Sequence, residues 1–566
     1  MTEIPTTQYA LQIVAADETV LNTAKPVPEL GPTQILCQIE ATGICFSDTK
    51  LLHAFTTHPR KSEVLTFLSA DELATIPSYV PGEQPTVPGH EACARVVAVG
   101  SEVTRHKVGD RALVQTDYRH MLTAASNASF GYNFEGALQQ YVLMDERVII
   151  DPDTGERFLI PVSEEPSASA VGLLEPWACV ERAYATEERN TLKAGGALLV
   201  VADAGHTVQG LPELIAASAP DSVTAVAAES AQRAAIEAIG AAFVESSDDL
   251  EAGAFDDIIY FGADPARVEQ LQTLVGLKGT IDVVLGGERL GRPVEVDVGR
   301  VHYDLTRWVG TNGTSAAEGY AWVPATGELR RGEKVGIIGA AGPMGFMHVV
   351  RALTAGLDGV AVTAIDIDEA RLAHLASVAG PLAESRGLAF ESLDSKDSQP
   401  VGGFTRIGVM VPSPALTAGA VELAGDGAIM DFFAGFAIGT TAPLDLDAMI
   451  TKRIYVLGTS GSMISDMKAV LTRLEAGALD TNISVYAVSG MQGVADALEA
   501  VRARTSGGKI VIYPQLTQLG MITLADLQAE LPDVAAALDE GRWTKAAEGA
   551  LLAATGTTTA DGDAVA

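Results

Sequence analysis

The stretch VGIIGAAGPMGFM (335–347) decides the fold of this 566-residue chain. An apolar run ends in a glycine-rich turn and an apolar helical pattern follows, which is typical of the first strand, turn and helix of a doubly wound parallel sheet. Glycines let the backbone bend tightly and approach a ligand closely, while the free N–H groups of the following helix attract an anion. The segment therefore predicts a dinucleotide-binding turn formed by Gly342, Pro343, Met344 and Gly345.

Acidic residues end the next apolar run, about twenty residues after the turn, where a carboxylate accepts hydrogen bonds from the adenosine ribose. Asp366 occupies that position. A carboxylate there would repel a 2′-phosphate, so NAD is the preferred cofactor, and the nearby Arg371 keeps NADP possible. The turn departs from the usual G-x-G-x-x-G pattern, because its first glycine falls on Ala340, with Gly339 one step earlier.

The same pattern occurs twice along the chain. LKAGGALLVVADAGHTVQG (192–210) aligns with LRRGEKVGIIGAAGPMGFM (329–347), and the two segments end alike, in RWVGTNGTS (307–315) and IYVLGTSGS (454–462). A βα unit repeated within one chain indicates two structural copies. We therefore predict two Rossmann-type sheets in tandem.

The first copy lacks two groups that dinucleotide binding requires. Val208 aligns with Gly345, and Ala227 aligns with Asp366. A β-branched residue at the last glycine position hinders close packing of helix and strand as well as the approach of a cofactor. We interpret this copy as degenerate and kept for packing or subunit contacts, with a second cofactor site as the alternative.

Apolar patterning divides the chain into regions. The first 180 residues alternate short apolar strands with Gly, Pro and Asp, which predicts a β-rich domain, whereas strand and helix patterns alternate from about residue 195. We expect an α/β protein with these parts: a β-rich domain (1–185), a degenerate Rossmann-like unit (190–318), a dinucleotide-binding unit (329–465), a return to the first domain (466–520), a helical extension (521–555) and a disordered tail (556–566).

Composition excludes several classes of partner. The chain has 38 Lys and Arg against 73 Asp and Glu, a net charge of −35 that would repel nucleic acid and anionic lipid. It contains no apolar run of about 18 residues, which a membrane-spanning helix needs. It also lacks a basic stretch followed by an apolar run near the N-terminus, which is typical of a signal peptide. The four scattered cysteines indicate reduced thiols. We expect a cytoplasmic protein without a nucleic acid or membrane partner.

Three short motifs in the β-rich region carry side chains that bind zinc. They are GICFSD (43–48), PGHE (88–91) and LLEPWAC (173–179). A catalytic zinc takes three ligands from Cys, His, Asp or Glu and keeps a fourth position open. Each motif alone is weak, because a single buried cysteine is more often a small core residue than a ligand.

Together, in this order and ahead of a Rossmann pattern, the motifs resemble the zinc-dependent medium-chain dehydrogenase/reductase family. The resemblance covers most of the chain and extends to the AGPMG turn and the closing GGKIVIYP (507–514). Among the branches, EPWACVERAYA, DIDEARL and DFFAGF look most like L-sorbose 1-phosphate reductases. The chain departs from the family in its duplication and in an insertion, RKSEVLTFLSADELATIPSYVPGEQP (60–85).

The resemblance implies a GroES-like catalytic domain with one catalytic zinc, whose ligands are Cys45, His90 and Glu175. Glu91 would be an exchangeable ligand or an outer carboxylate, and Asp48 would accept a hydrogen bond from His90. Cys179, one turn after Glu175, is the rival third ligand. No structural zinc is expected, because the four clustered cysteines that it needs are missing.

The chemistry that follows is hydride transfer between NAD(P)(H) and a ketose or polyol, with zinc as the Lewis acid. The resemblance favours a sugar phosphate such as L-sorbose 1-phosphate, and it implies a homodimer or homotetramer. Ser47 would pass the hydroxyl proton outward, although a serine that caps a turn is the structural alternative. Lys50 would meet a substrate phosphate or a relay water, or is simply solvated. His302 is a candidate for the substrate pocket.

Two other functions stay open. One is the same chemistry on an unphosphorylated sugar, a cyclitol or another secondary alcohol. The other is a nucleotide-responsive binding or scaffold protein with a vestigial metal site. Retention of Cys45, His90 and Glu175 together argues against the second. The first Rossmann copy has lost two of its binding groups, whereas the candidate metal ligands are all present.

Overall fold

The computed structural model describes residues 4–555, so the tail that we predict to be disordered (556–566) lies outside the described residues. Two compact units divide the chain. One extends up to residue 178 and resumes at residue 462, and the other comprises residues 179–461. Among the described residues, no helix has the length and apolar character that a membrane crossing needs.

The first unit begins with a β-rich segment. Its strands are β1 (Thr7–Ala15), β2 (Glu18–Pro26), β3 (Gln34–Gly43), β4 (Glu91–Val99), β5 (Arg111–Val114), β6 (Asp117–Leu122), β7 (Asn127–Ser129), β8 (Tyr141–Asp145) and β9 (Leu159–Pro161). Its helices are α1 (Phe46–His53), α2 (Ala70–Leu73), α3 (Ala168–Gly172) and α4 (Leu174–Tyr184), the last of which continues into the second unit.

The second unit contains two copies of a βα pattern. The elements of the first copy are β10 (Ala197–Ala202), α5 (Leu211–Ala217), β11 (Ser222–Ala227), α6 (Ser230–Glu237), β12 (Ala242–Phe243), β13 (Phe255–Phe261), α7 (Pro265–Leu271), β14 (Val275–Val284), β15 (Val294–Asp297), α8 (Val298–Tyr303), β16 (Arg307–Thr311) and α9 (Ala316–Ala321). Those of the second copy are β17 (Lys334–Ile338), α10 (Pro343–Leu353), β18 (Ala361–Asp366), α11 (Glu369–Ser385), β19 (Ala389–Asp394), β20 (Phe404–Val409), α12 (Pro414–Leu423), β21 (Ala424–Asp431), β22 (Thr441–Leu444), α13 (Leu446–Lys452) and β23 (Tyr455–Leu457).

The two copies have the same strand order. Six parallel strands run β12-β11-β10-β13-β14-β16 in one sheet and β19-β18-β17-β20-β21-β23 in the other. In both, the order reverses beside the first strand of the copy, which is the doubly wound arrangement of a Rossmann fold. The predicted fold class, with two such sheets after a β-rich domain, is confirmed.

The first copy is an insertion between α4 and the second copy. The segments that lead into and out of it lie side by side, with the N–H of Glu188 donating to the carbonyl of Ala325 at 3.0 Å. The last turns of α4 pack on the second copy, where Glu181 pairs with Arg351 at 2.7 Å. Adjacent ends are typical of an inserted domain.

The chain then returns to the first unit through α14 (Ile464–Glu475), β24 (Val485–Ser489), α15 (Val494–Arg502), β25 (Lys509–Ile512), β26 (Ile522–Thr523), α16 (Leu527–Glu530), α17 (Pro532–Ala535) and α18 (Lys545–Ala554). Strands from both ends of the chain share one sheet, in the order β26-β24-β25-β3-β4-β5-β9, with β8 also paired to β3. The predicted helical extension thus contains a short strand as well as three helices.

Apolar residues explain why each unit is compact. In the first unit, buried side chains of the β3 and β4 sheet form one cluster, and α1 packs with α15 in another. In the second unit, one cluster contains residues of both copies, including Val296 and Trp308 of the first and Leu444 and Met449 of the second. The two Rossmann copies therefore share a hydrophobic core.

Candidate functional site

Asp48 joins the two loops that carry predicted metal ligands. One of its carboxylate oxygens accepts the N–H of Cys45 at 2.9 Å, and the other accepts the N–H of Gly89 at 3.1 Å. The second oxygen also lies 3.2 Å from Nδ1 of His90. A single buried carboxylate thus bridges both loops and orients the imidazole.

Charge favours this arrangement despite its burial. Burial would raise the pKa of Asp48, but His90 and the N–H groups of Cys45 and Gly89 hold that pKa below its ordinary value. Burial would lower the pKa of His90, but Asp48 and Tyr132 raise it well above its ordinary value. With Asp48 on the Nδ1 side of the ring, Nε2 faces the side of Ser47, 3.2 Å from its Oγ.

Three ligand types converge beside these loops. Among the described residues, Cys45, His90 and Glu91 bring one possible ligand atom each to within 4.8 Å of one another. Within residues 4–555, Oε2 of Glu91 is buried and has no hydrogen-bond partner. A Cβ at Gly43 would lie 2.0 Å from that oxygen, so the glycine leaves room for it. Thiolate, imidazole and carboxylate are ligands that Zn²⁺ accepts, and the residues fit a zinc ion.

Lys509, which the sequence analysis missed, lies directly behind Glu91. The lysine is buried, and its Nζ donates to Oε1 of Glu91 and, at 2.8 Å, to the carbonyl of Ile44. Burial lowers the pKa of Lys509, but Glu91 and Cys45 raise it above its ordinary value. The signal that could have revealed it is a lysine within the apolar strand KIVI, because a buried lysine needs a charged partner.

Glu175, the predicted third ligand, lies outside the compact metal-binding group that the structure forms. Glu175 is buried in the first turn of α4, and its charge acts on Lys509. However, within residues 4–555 the compact group contains Glu91 in its place. Cys179, one turn further along α4, is half-buried and also lies outside that group. Glu175 as the third ligand therefore stays a prediction.

Aromatic and basic side chains surround the metal-binding group. The ring of Tyr132 stacks on His90 at 5.8 Å, and His58 lies 5.0 Å from Tyr132. Burial, together with Arg60 and Lys50, lowers the pKa of His58 to about 4, so that ring is neutral at physiological pH. Neither Tyr132 nor His58 belongs to one of the three motifs that pointed to this site.

The outer face of α1 is cationic. Lys50 is exposed, and its Nζ lies 6.0 Å from the ring of Phe46, while the guanidinium of Arg504 lies 5.2 Å from the same ring. Phe46 itself is partly exposed. The structure therefore adds Arg504 to Lys50 as a positive charge near the Cys45 loop.

The glycine turn of the second copy has a distinct task for each glycine. Gly339 has φ +81 and makes the tight turn. Gly339, and not Ala340, therefore takes the place of the first glycine of the G-x-G-x-x-G pattern. A Cβ at Gly345 would lie 2.2 Å from the carbonyl oxygen of Gly339, whereas a Cβ at Gly342 would meet that oxygen only at 3.6 Å. Gly345 thus permits close packing, and Gly342 leaves the start of α10 open to a ligand.

Asp366 is fixed beside this turn, at the end of β18. Its carboxylate accepts the N–H of Ala341 at 2.9 Å and that of Ile367 at 2.7 Å. Arg371 pairs with Asp368 at 3.0 Å and lies 3.9 Å from Asp366. The predicted ribose-binding carboxylate and the predicted phosphate-binding helix, with Pro343 and Met344 in its first turn, are therefore neighbours.

In the first copy, the corresponding turn is filled by its own side chains. The N–H of Gly205, which aligns with Gly342, donates to the carboxylate of Glu229 at 2.9 Å. Gln232 donates to the carbonyls of Asp203 and His206 at 2.6 and 2.9 Å. A carboxylate at this position competes with a phosphate for the same N–H group, which favours the degenerate interpretation.

His302 does not belong to the compact metal-binding group. The residue is buried in α8 of the first copy, and its Nδ1 lies 3.1 Å from the carbonyl oxygen of Phe432 in the second copy. The hypothesis that it faces a substrate stays untested.

Comparison with known proteins places these features in context. Residues 31–153 match the family described as the alcohol dehydrogenase GroES-like domain. An uncharacterized protein of Escherichia coli K12, YggP, is 28% identical over 252 residues, which are 40% of this chain and 57% of that protein. D-altritol 5-dehydrogenase of Agrobacterium fabrum is 33% identical over 106 residues, 19% of this chain and 24% of that enzyme.

The matched segments span little more than half of one relative and a quarter of the other. Among solved structures, 2R,3R-butanediol dehydrogenase of Bacillus subtilis superposes with a TM-score of 0.50 at 14% identity, over 90% of this chain and all of that one. This likeness concerns the fold. The chain thus contains a match to the alcohol dehydrogenase GroES-like domain at residues 31–153, and two Rossmann-type sheets follow it.

Proposed function

We propose that this protein is a zinc-dependent, NAD(P)-linked dehydrogenase of polyols or related alcohols. The observation that carries the proposal is the group of Cys45, His90 and Glu91, whose ligand atoms lie within 4.8 Å of one another inside a GroES-like domain. Protein thiolate, imidazole and carboxylate ligands are those of catalytic zinc sites.

The cofactor is a dinucleotide bound by the second Rossmann copy. Gly342 leaves the N-terminus of α10 open for a pyrophosphate, and Asp366 lies beside that turn. The carboxylate of Asp366 favours NAD over NADP, because a 2′-phosphate would meet a negative charge. The pairing of Arg371 with Asp368 strengthens this preference, since it leaves the guanidinium partly neutralised.

When bound, a zinc ion would polarise a substrate carbonyl or lower the pKa of a substrate alcohol. The residues of the chain prepare the site for that chemistry. Asp48 holds the imidazole of His90 so that Nε2 faces the site, and Lys509 donates to Oε1 of Glu91. The Oγ of Ser47, 3.2 Å from that Nε2, would accept the hydroxyl proton of a substrate alcohol while its own proton passes to solvent water.

We propose a ketose or polyol as substrate, with a sugar phosphate such as L-sorbose 1-phosphate as the specific candidate. The similarity to D-altritol 5-dehydrogenase supports a polyol. The positive charges of Lys50 and Arg504 near the Cys45 loop support a phosphate group on it. An unphosphorylated sugar, cyclitol or secondary alcohol is the second candidate.

Lys50 distinguishes the two candidates. If Lys50 contacts a phosphate, Lys50→Ala lowers kcat/KM for a ketose 1-phosphate about tenfold or more and changes kcat/KM for the free ketose little. Lys107→Ala, which removes an exposed lysine elsewhere in the same unit, is the control. An unchanged ratio of the two kcat/KM values would remove Lys50 as the phosphate contact.

The activity itself is tested by following NADH formation from NAD with a panel of polyols, sugars, cyclitols and their phosphates, using zinc-loaded protein. We expect turnover of at least one polyol, a lower rate with NADP, and loss of turnover in Cys45→Ser but not in Cys93→Ser. Protein that binds zinc and NADH yet oxidises and reduces nothing in the panel would favour the binding or scaffold function.

A further inference from the structure

The inserted first copy contacts the second copy through equivalent elements. β15 pairs antiparallel with β22, with Val294 opposite Leu444 and Asp297 opposite Thr441. Each of these strands lies between the fifth strand of its sheet and the helix that precedes the last strand. Because each copy contributes the same element to the contact, the contact resembles one related by a two-fold axis.

Hydrogen bonds also cross this contact in both directions, although from positions that are not equivalent in the two copies. Asp297, at the start of α8, accepts the N–H of Gly439 at 2.9 Å from the second copy. Asp447, in the first turn of α13, accepts the N–H groups of Leu290 and Gly291 at 3.0 Å each from the first copy. The two copies are thus arranged like the subunits of a symmetric dimer, although they belong to one chain.

One pair of equivalent positions carries different types of side chain in the two copies. Ile450, on α13, reaches the last strand of the first copy, where a Cβ at Gly310 would lie 2.7 Å from its Cδ1. On α8 the equivalent residue is His302, which approaches Gly458, where a Cβ would lie 2.9 Å from its Cα. The degenerate copy therefore receives an apolar residue, and the copy with the open glycine turn receives a polar one.

The direction of a dinucleotide across the second sheet can be derived from its ends. The pyrophosphate lies at the start of α10, and the adenosine lies toward Asp366 at the end of β18. The other half must then lie beyond the carboxyl ends of β20 and β21, on the opposite side of the point where strand order reverses. Phe432 directly follows β21, and its carbonyl oxygen is the group that His302 contacts at 3.1 Å.

The imidazole of His302 has a defined orientation there. A carbonyl oxygen only accepts, so Nδ1 carries the hydrogen and donates to Phe432. A Cβ at Gly435, in the loop after β21, would lie 3.3 Å from Nε2 of His302 and 2.7 Å from the hydroxyl oxygen of Tyr303. The absence of a side chain at Gly435 keeps this loop close to both rings.

We propose that His302 and Tyr303 of the inserted copy form part of the binding site for the nicotinamide riboside half of the cofactor in the second copy. This inference rests on the proposed binding of a dinucleotide to that copy. The inserted copy then acts as a subunit would in a shared site: it contributes side chains to a pocket whose glycine turn and ribose-binding carboxylate belong to its neighbour.

The test compares two ligands that differ in the nicotinamide alone. Calorimetry gives the Kd of NADH and of ADP-ribose for the full-length wild type, His302→Ala and His302→Gln. We expect both variants to weaken NADH binding about tenfold or more, while the Kd of ADP-ribose stays within about twofold of the wild type. Ile450→Val, a conservative change at the symmetry-equivalent position, should leave both Kd values unchanged.

Four outcomes would overturn the proposal. Unchanged NADH affinity in both variants would show that His302 does not contact this half of the cofactor. Equal weakening of NADH and ADP-ribose would show a structural role, as would a loss of NADH affinity that appears only where the melting temperature falls. Wild-type protein that binds neither ligand would contradict the proposed cofactor site itself and, with it, this assignment.

Discussion

Asp48 shows how much of the metal-binding geometry depends on one side chain. Its two oxygens accept N–H groups from the Cys45 loop and the Gly89 turn, and one of them also faces the imidazole of His90. The two ligand loops are separated by the insertion along the chain, and the pairing of Gly43 with Glu91 in the sheet and this carboxylate bridge together hold them side by side. Carboxylates that orient a ligating histidine commonly alter metal affinity when they are replaced.

We expect Asp48→Asn to weaken zinc binding about 10- to 100-fold while the protein stays folded. The amide keeps the shape of the carboxylate but presents an NH₂ group to one of its three partners and removes the charge beside His90. Competition with a chromogenic chelator measures the zinc Kd. Asp145→Asn, which alters a buried carboxylate paired with Arg147, is the control. Equal zinc affinity in Asp48→Asn and wild type would contradict the role of Asp48.

At the scale of elements, the strand β17, its turn and α10 show why two glycines differ in purpose. A Cβ at Gly345 would overlap the backbone of Gly339 and Ala340, at 2.2 and 2.7 Å. A Cβ at Gly342 makes ordinary contact with the protein but occupies the space in front of the helix N-terminus. Gly345 therefore serves packing, and Gly342 serves the ligand.

Alanine substitutions should separate these roles. Gly342→Ala should leave the melting temperature within a few degrees of wild type and weaken NADH binding at least about tenfold, because the methyl group meets the pyrophosphate. Gly345→Ala should lower the melting temperature, because backbone must move. Thermal denaturation and calorimetry measure both effects. Normal NADH affinity in Gly342→Ala would place the phosphate elsewhere.

The end of β21 contains an ionisable group in an unfavourable place. Within residues 4–555, both carboxylate oxygens of Asp431 are buried and have no hydrogen-bond partner. Burial raises the pKa of Asp431 to about 7, against the opposing effect of Arg406 and Arg307. The folded state therefore binds a proton that the unfolded state releases above about pH 4.

This group should make stability depend on pH. A raised folded-state pKa means that the stability present below about pH 4 is lost as the pH rises through about 7, a loss of up to about 4 kcal/mol. Denaturant unfolding of Asp431→Asn should show a smaller loss of unfolding free energy than wild type over that interval. Asp426→Asn, at an exposed site on the same strand, should follow the wild type. Parallel curves for Asp431→Asn and wild type would contradict the shift.

For the second unit as a whole, the inserted copy and its neighbour share one hydrophobic core. Val296, at the middle of the β15–β22 pairing, is buried in a cluster that contains side chains of both copies. The surfaces that pair through β15 and β22 are therefore already occupied within the chain. The predicted homodimer or homotetramer would have to form through another surface.

Val296→Asp tests the shared core. An unpaired carboxylate at this position should cost about 3 kcal/mol or more of unfolding free energy. The shared cluster also predicts that both copies lose stability together in one transition. Glu295→Gln, an exposed change on the same strand, should leave the unfolding curve unchanged. A small effect of Val296→Asp, confined to part of the transition, would show that the copies fold independently.

Sequence patterns predicted what depends on nearby residues. The two sheets follow from apolar runs and glycine turns, and Cys45, Asp48 and His90 follow from two short motifs that the structure brings together. A lysine within the apolar strand KIVI signals a buried charge, but its pairing with Glu91, 418 residues away, could not be predicted from either segment.

Long-range packing accounts for the remaining differences. Whether Glu91 or Glu175 lies closer to Cys45 depends on how α4 packs on the sheet, which no motif records. The pairing of β15 with β22 joins two four-residue strands from different copies, and strands this short have little pattern of their own. The repeat predicted the two copies but not the reciprocal contact between them.

The most direct test of the central claim is the zinc content per chain, measured by elemental analysis on protein prepared without chelator. The proposed site predicts about one zinc per chain in the wild type, a value near zero in Cys45→Ser, and a wild-type value in the control Cys93→Ser. Near-zero zinc in folded wild-type protein, or zinc that stays in Cys45→Ser, would contradict the claim that Cys45 and His90 form a catalytic metal site.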